Sequence, residues 1–195
     1  KDMRSIVLGT ALALMATSAH AGFVIDFTDE DNFTPVGTSS GDRSQTFSGT
    51  PFGDLGVTIS SNGTGALTNE ENFSTSDTCP TGLACDQDGF GVVSSSEGSD
   101  DEITFENSEE IVVNFDKTIS VGSVSFLDAF IDEFATVFVN RGTSTESSFT
   151  VDAVEQLSEG GPGFVSAAVA LTGVDSLTFL AGDLNDPAGS EDVAL

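Results

Sequence analysis

Histidine, tryptophan and tyrosine are almost absent from this chain, and their absence removes whole classes of site. The 195 residues include one histidine, His20, and all 16 aromatic side chains are phenylalanine. His20 lies in an N-terminal segment that we expect to be removed, so the predicted mature chain has no imidazole. Ser-His-Asp and Cys-His nucleophiles and His-ligated zinc or copper sites all need that group and are excluded. The lack of Trp and Tyr weakens a prediction of sugar binding, because a phenylalanine ring has no polar end.

Basic side chains are also scarce. The sequence contains five Lys and Arg and 32 Asp and Glu, which gives a formal net charge of −27. Without residues 1–21, three cations (Arg43, Lys117 and Arg141) face 31 carboxylates, and the net charge is near −28. Phosphate backbones and anionic lipids repel such a chain, so we expect no nucleic-acid or membrane-surface partner and expect small cations instead. The same acidity is typical of proteins from salty water, and both interpretations stay open.

Long hydrophobic runs are absent, and the one apolar segment at the N-terminus is short. A basic start at Lys1 precedes an apolar run of about eleven residues at 6–16, and residues 19–21 form a small-x-small motif. A membrane span needs roughly 20 residues, so residues 1–21 are predicted to be a cleaved export leader. The mature chain is predicted to begin at Gly22, with no membrane insertion by the residues present.

Only two cysteines are present, Cys79 and Cys85, six positions apart. Pro80 and Gly82 between them supply a turn that brings the ends of the segment together. An even cysteine count in an exported chain favours a disulfide, which would stabilise the fold by about 2–3 kcal/mol. A pair of free thiols is the alternative.

Helical periodicity is nearly absent, while short alternating apolar runs recur between Gly, Ser, Asn and Asp. We therefore predict an all-β, two-sheet antiparallel β-sandwich of jelly-roll type in a single domain over residues 22–195. A long acidic loop is expected at about 69–101, carrying the cysteine pair. The predicted strands are 23–27, 55–60, 91–94, 102–105, 110–115, 119–127, 134–140, 147–151, 164–171, 174–180 and 192–195.

One predicted strand, 119–127, changes the face of its apolar side chains part-way. Ile119 and Val121 are in phase with each other, whereas Val124 and Phe126 are shifted by one residue. A shift of one residue turns a strand inside out unless an irregularity absorbs it, so we predict a bulge or bend at Gly122-Ser123. The next strand, 134–140, is apolar on both faces and is predicted to lie inside a sheet.

Several short motifs occur in a fixed order along the chain. They are Asp88-Gly89-Phe90-Gly91-Val92, Asp101-Glu102-Ile103, Glu110-Ile111-Val112-Val113-Asn114-Phe115, the Val121 to Asp128 run, Gly173 to Phe179 and Glu191 to Leu195. This order resembles the exported β-sandwich domains of bacterial proteins that carry a C-terminal PEP-CTERM or VPLPA-type sorting signal. The resemblance covers most of residues 23–195. It implies a surface- or matrix-associated protein of a Gram-negative bacterium, in the periplasm, at the cell surface or outside the cell.

The ends of the chain depart from that family pattern. Lys1 stands where a start methionine would be expected, and no Pro-Glu-Pro-like motif, membrane segment or basic tail follows Leu195. We therefore expect a fragment cut at both ends, and membrane attachment is not predicted for the residues present.

Carboxylates cluster at three places that suit calcium, which takes six to eight oxygen ligands from side chains and loop carbonyls. Solvated loop acids are the alternative at each place, since so many carboxylates cluster by chance. The first cluster is Asp86, Asp88, Asp101 and Glu102, the second is Asp128, Asp132 and Glu133, and the third is Asp26 with Asp183.

These features predict a non-catalytic exported module for surface display, matrix association or adhesion, with calcium as a structural ion. Its expected partners are extracellular polysaccharides or other matrix components. A carbohydrate-binding module is the first alternative; a groove lined by Phe and Asn or Asp on one sheet would favour it. A carboxylate-pair glycoside hydrolase is a further alternative, which would need two acids about 5–9.5 Å apart in a cleft.

Overall fold

All regular structure in the described part of the chain is β-strand. The computed structural model describes residues 24–29, 31, 43–49, 52–62, 65–69, 78–87, 89–93, 103–104, 109–155, 161–183 and 192–193. The predicted all-β class is confirmed. No helix within these ranges has the length and hydrophobicity of a membrane span. The strands are β1 (Ser44–Gly49), β2 (Gly53–Asn62), β3 (Ala66–Thr68), β4 (Gly91–Val93), β5 (Ile103–Thr104), β6 (Glu110–Phe126), β7 (Glu133–Val139), β8 (Ser147–Asp152), β9 (Val165–Asp183) and β10 (Asp192–Val193).

Six of the strands form one large antiparallel sheet in the order β1-β2-β6-β9-β7-β8. Two further antiparallel pairs, β3 with β4 and β5 with β10, form separate two-stranded sheets. The strand predicted at 134–140 becomes β7, which pairs with β9 on one side and β8 on the other, so its predicted position inside a sheet is confirmed.

One face of the large sheet is apolar across all six strands. Alternate residues of β2, β6, β7 and β9 are buried, because successive side chains of a strand point to opposite faces. The small sheets add Leu67, Val92 and Ile103 to the same hydrophobic core, and Phe90 joins it from the residue before β4. Phe27 of the N-terminal segment packs against this core. We call this apolar side the inner face and the opposite side the outer face. The inner face carries Phe47, Val57, Ile59, Ile111, Val113, Phe115, Leu177, Phe179, Ala181, Ala135, Val137, Val139, Phe149 and Val151.

The long strands β6 and β9 fold back over the inner face. Phe179 of β9 pairs directly with Ile111 near the start of β6, yet its ring centroid lies 5.8 Å from the ring of Phe126 at the end of β6. A straight strand would separate Ile111 from Phe126 by roughly 50 Å, at about 3.3 Å per residue. Both strands therefore bend sharply between these points.

The bend lies where the pairing of β6 with β9 is interrupted. Between the pairs Asn114 with Ser176 and Ile119 with Val174, β6 advances five residues and β9 only two. The extra residues of β6 form a corner that three contacts fix to neighbouring strands. Asp116 Oδ1 accepts the Gly56 N–H at 2.8 Å, Lys117 Nζ donates to the Asp54 carbonyl at 2.6 Å, and Thr118 Oγ1 donates to Asp175 Oδ1 at 2.5 Å.

A second irregularity lies at the predicted position in β6. Between the pairs Val121 with Leu171 and Ser123 with Ala168, β6 advances two residues and β9 three. The prediction of an irregularity at Gly122-Ser123 is confirmed, and the extra residue belongs to β9.

Several predicted strand boundaries differ from the observed ones. The predicted strands 110–115 and 119–127 are one strand, β6, and 164–171 and 174–180 are one strand, β9. The predicted strand 23–27 is wrong in its described part, where residues 26–28 form a turn built on an aspartate side chain. Strands β1 and β3 were not predicted, because β1 has only Phe47 as a large apolar side chain and β3 is three residues long.

Candidate functional site

The two cysteines lie at disulfide distance. The sulfur atoms of Cys79 and Cys85 are at bonding distance and their Cα atoms are 5.9 Å apart, within the usual range for a disulfide. The predicted turn is present, because the Leu83 N–H donates to the Pro80 carbonyl at 3.2 Å and Gly82 has a φ of 102°. We call residues 79–85 the disulfide loop. Such a bond is compatible with export.

The disulfide loop packs against the turn at residues 26–28. Within the turn, Asp26 Oδ1 accepts the Thr28 N–H at 3.0 Å and the Thr28 hydroxyl at 2.7 Å. Asp26 Oδ2 accepts the Ala84 N–H at 2.7 Å, and the Thr28 carbonyl accepts the Asp86 N–H at 3.0 Å. Asp26 and Asp86, assigned to two different calcium clusters by sequence, are therefore brought close, with the Asp26 carboxylate accepting backbone N–H groups.

The second predicted cluster lies in the connection from β6 to β7. Glu133 Oε2 accepts the Phe130 N–H at 2.5 Å, and Asp128 and Asp132 adopt left-handed backbone conformations with φ of 50° and 87°. Aspartate tolerates this conformation better than most residues, so these positions serve the turn itself. Asp183 of the third cluster pairs in register with Glu133, across β9 and β7.

No group of three or more Asp, Glu, His or Cys side chains in the described ranges is arranged to hold a metal ion. Asp128, Asp132 and Glu133 belong to those ranges, and the structure does not gather them into such a group. Asp88, Asp101 and Glu102 of the first cluster lie outside the described residues, so calcium binding there stays a prediction.

The backbone of the connection from β6 to β7 contacts the backbone of residues 162–163. Glycine at position 163 makes this close approach possible. The Asp128 and Ala129 N–H groups donate to the carbonyls of Pro162 and Gly163, each at 3.0 Å. Gly163 has a φ of 60°, and a Cβ there would lie 2.7 Å from the Ala129 nitrogen and 2.9 Å from the Asp128 backbone. Only glycine fits this approach.

We predict that Gly163→Ala lowers the free energy of unfolding by about 2–4 kcal/mol, through backbone strain plus displacement of the Asp128–Ala129 backbone. The measurement is urea denaturation. Gly142→Ala is the matched control, because Gly142 also has a positive φ of 79° but nothing lies within 4 Å of its Cβ position. It should cost about 1 kcal/mol. Equal losses in the two variants would contradict the close backbone contact.

A polar chain crosses the outer face of the large sheet. The Arg141 guanidinium lies 4.7 Å from the ring centroid of Phe138, and its Nη1 donates to Glu110 Oε1 at 2.5 Å. Glu110 Oε2 in turn accepts the Asn62 Nδ2–H at 2.8 Å. Because β9 lies between β6 and β7, Arg141 bridges the two strands that flank β9.

Sequence reasoning missed three groups of polar contacts that the structure shows. The Asp26-Phe27-Thr28 turn has the signature of a side chain that bonds the backbone two residues on, which could have been weighed against the alternating pattern. Asn140, buried at the end of β7, begins an Asn-Arg-Gly turn signal. The partners of Arg141 had no local signal, because Asn62 and Glu110 are distant in sequence.

Comparison with protein-family models, with curated proteins and with solved structures finds no match to this chain.

Proposed function

We propose that the chain is a non-catalytic, exported β-sandwich module for surface display or matrix association, with calcium as a structural ion. The proposal rests in part on the resemblance to PEP-CTERM-type domains of Gram-negative bacteria. Its proposed partner is an extracellular polysaccharide or another matrix component. The observation that carries it is the use of carboxylates within the described loops. The Asp26 and Asp116 side chains accept backbone N–H groups from distant parts of the chain. Those of Glu133, Glu146 and Glu155 accept backbone N–H groups from their own or nearby turns.

This use of carboxylates supports a structural role for the loops. A carboxylate that accepts a backbone N–H fixes the course of a loop, and such bonds to charged groups stabilise by about 1.5–3 kcal/mol when they are shielded from water. A carboxylate-pair hydrolase, in contrast, needs two acids free to act on a substrate from opposite sides. The sandwich architecture is supported by the fold-back of β6 and β9, which brings Phe126 over Phe179 on the inner face.

Calcium binding is the testable part of this proposal. An ion that binds only the folded form adds RT ln(1 + [L]/Kd) to stability, about 2.7 kcal/mol at a hundredfold excess over Kd. We predict that millimolar calcium raises the melting temperature by about 5–10 °C. The measurement is a thermal melt against sodium chloride of equal ionic strength, because screening alone also stabilises a chain of this charge.

Two variants separate a site from general screening. Asp88→Ala or Asp101→Ala should remove the excess stabilisation by calcium, whereas Asp54→Ala should not, because the Asp54 side chain is 99% exposed. Identical melting curves in calcium and in matched salt would rule out the calcium site and leave the acids as a hydrated surface.

A carbohydrate-binding module is the second candidate, and the outer face favours it. Phe134 and Phe138 are half-buried there, and the fixed polar chain of Asn62, Glu110 and Arg141 contacts Phe138. A ring bordered by oriented donors and acceptors is a common way to bind a sugar. Because Arg141 lies over the Phe138 ring, we assign stacking to Phe134, roughly 13 Å farther along β7 at about 3.3 Å per residue, with the polar chain at the far end of the same face.

The test is a binding titration with neutral and uronic acid-containing oligosaccharides. We expect Phe134→Ala to weaken binding about tenfold, the loss of roughly one stacking contact. Thr46→Ala, at the β1 edge of the same face, is the matched control and should bind normally. Equal binding by both variants, or none by the parent chain, would exclude the outer face as a sugar site.

A further inference from the structure

Four consecutive backbone amides hold the start of the predicted mature chain. Asp26 Oδ2 accepts the N–H of Ala84, and the Thr28 hydroxyl accepts the N–H of Cys85 at 2.9 Å. The Thr28 carbonyl accepts the N–H groups of both Asp86 and Gln87, at 3.0 and 3.2 Å. We call residues 84–87 the amide row and residues 26–28 the N-terminal turn.

The N-terminal turn is built into the core through this row. Thr28 is 3% exposed, and the ring of Phe27 meets the fully buried ring of Phe90 edge-on, with centroids 5.9 Å apart. The described residues 24–29 form no strand, so the sheets do not hold this segment by strand pairing. Hydrogen bonds to the amide row and the contact of Phe27 with Phe90 join it to the rest of the fold.

The disulfide joins the amide row directly. Cys85 lies within the row and adopts a left-handed conformation, with φ of 55°. A residue with a side chain disfavours this conformation, so a constraint helps to keep it. The bond to Cys79 supplies that constraint by closing the disulfide loop immediately before Asp86. Cys79 is exposed, so a reductant can reach the bond.

We propose that the disulfide loop is a redox-sensitive latch for the N-terminal turn. When a dithiol reductant attacks, the Cys79–Cys85 bond breaks and accepts two electrons and two protons, and the reductant closes to its own disulfide. The freed Cys85 then leaves the left-handed conformation. The amide row loses its alignment, and Asp26 and Thr28 lose their shared partners.

The proposed role of the latch in the cell rests on the proposed export of the chain. The N-terminal turn begins four residues after Gly22, the predicted first residue of the mature chain. In a reducing compartment the latch is open, so the residues next to the leader stay undocked. The disulfide forms in an oxidising compartment, and the turn then docks.

Hydrogen exchange of the oxidised and the reduced full-length chain tests the latch. Closing a seven-residue loop restricts the open chain by about 2.4 kcal/mol, so reduction should speed exchange of the amide row up to about 50-fold. The amide of Thr28 should accelerate with it, whereas amides in β6 and β9 should not change. A Cys79→Ser/Cys85→Ser variant should behave like the reduced chain without any reductant.

Matched acid variants complete the test. With the disulfide intact, Asp26→Ala should speed exchange at Ala84 and Thr28, while Asp54→Ala, which removes an exposed charge, should not. Faster exchange confined to residues 79–83, or an equal rise throughout β6 and β9, would overturn the latch. Sequencing the N-terminus of the secreted protein tests export separately, so failure of one proposal is distinguishable from failure of the other.

Discussion

Replacing Phe179 with alanine should lower the free energy of unfolding by about 3–5 kcal/mol, the usual cost of removing a buried phenylalanine. Phe179 is 3% exposed and lies between Ile111 of β6 and Val137 of β7 in the centre of the large sheet. Its ring also meets Phe126, which the bend of β6 brings over the inner face. The substitution therefore opens a cavity at the contact between the sheet and its folded-back end.

Urea denaturation of four chains measures this contact. The parent, Phe179→Ala, Phe126→Ala and the double variant form a cycle whose coupling energy should be about 0.5–1.5 kcal/mol, as for other edge-on aromatic pairs. Phe149→Ala is the matched control, because Phe149 lies on the inner face of edge strand β8 but is only half-buried, and it should cost less. Additive losses at Phe126 and Phe179 would contradict the fold-back of β6.

Local periodicity was sufficient to predict most strands of the large sheet. The alternation of Ile111, Val113 and Phe115 predicts the first half of β6, and the two apolar faces of residues 134–140 predict an inner strand. The phase shift in β6 located the irregularity at Gly122-Ser123. These features depend on side chains within a few residues of each other, so the sequence displays them directly.

The bend and the polar contacts could not be predicted in the same way. The pairing that makes 110–115 and 119–127 one strand is decided by β9, whose partner residues lie about 55–60 positions farther along the chain. Loop acids have the same appearance in sequence whether they bind calcium, face water or accept a backbone N–H. Asp26 and Glu133 were assigned to calcium clusters for this reason, and only the tertiary structure reveals their backbone partners.

Asn140 is the residue whose polar side chain we expect to contribute most to stability, because it bonds the backbone of β9 at residues 173–176. Its Oδ1 accepts the N–H groups of Asp175 and Ser176 at 2.8 and 3.1 Å, and its Nδ2 donates to the Gly173 carbonyl at 2.8 Å and to the Thr145 hydroxyl at 3.3 Å. Asn140 is 3% exposed, and all four of these hydrogen bonds are partly buried.

We predict that Asn140→Ala lowers the free energy of unfolding by about 3–5 kcal/mol. Each of the four lost hydrogen bonds contributes about 0.5–1.5 kcal/mol, and alanine adds strain because Asn140 has a φ of 52°. Asn140→Gly relieves the strain but not the lost bonds, so it should recover only about 1 kcal/mol of the loss. Asn114→Ala, at an exposed asparagine of β6, should stay within about 0.5 kcal/mol of the parent. If Asn140→Gly is as stable as the parent, the side-chain bonds contribute nothing, and the corner is held by backbone conformation alone.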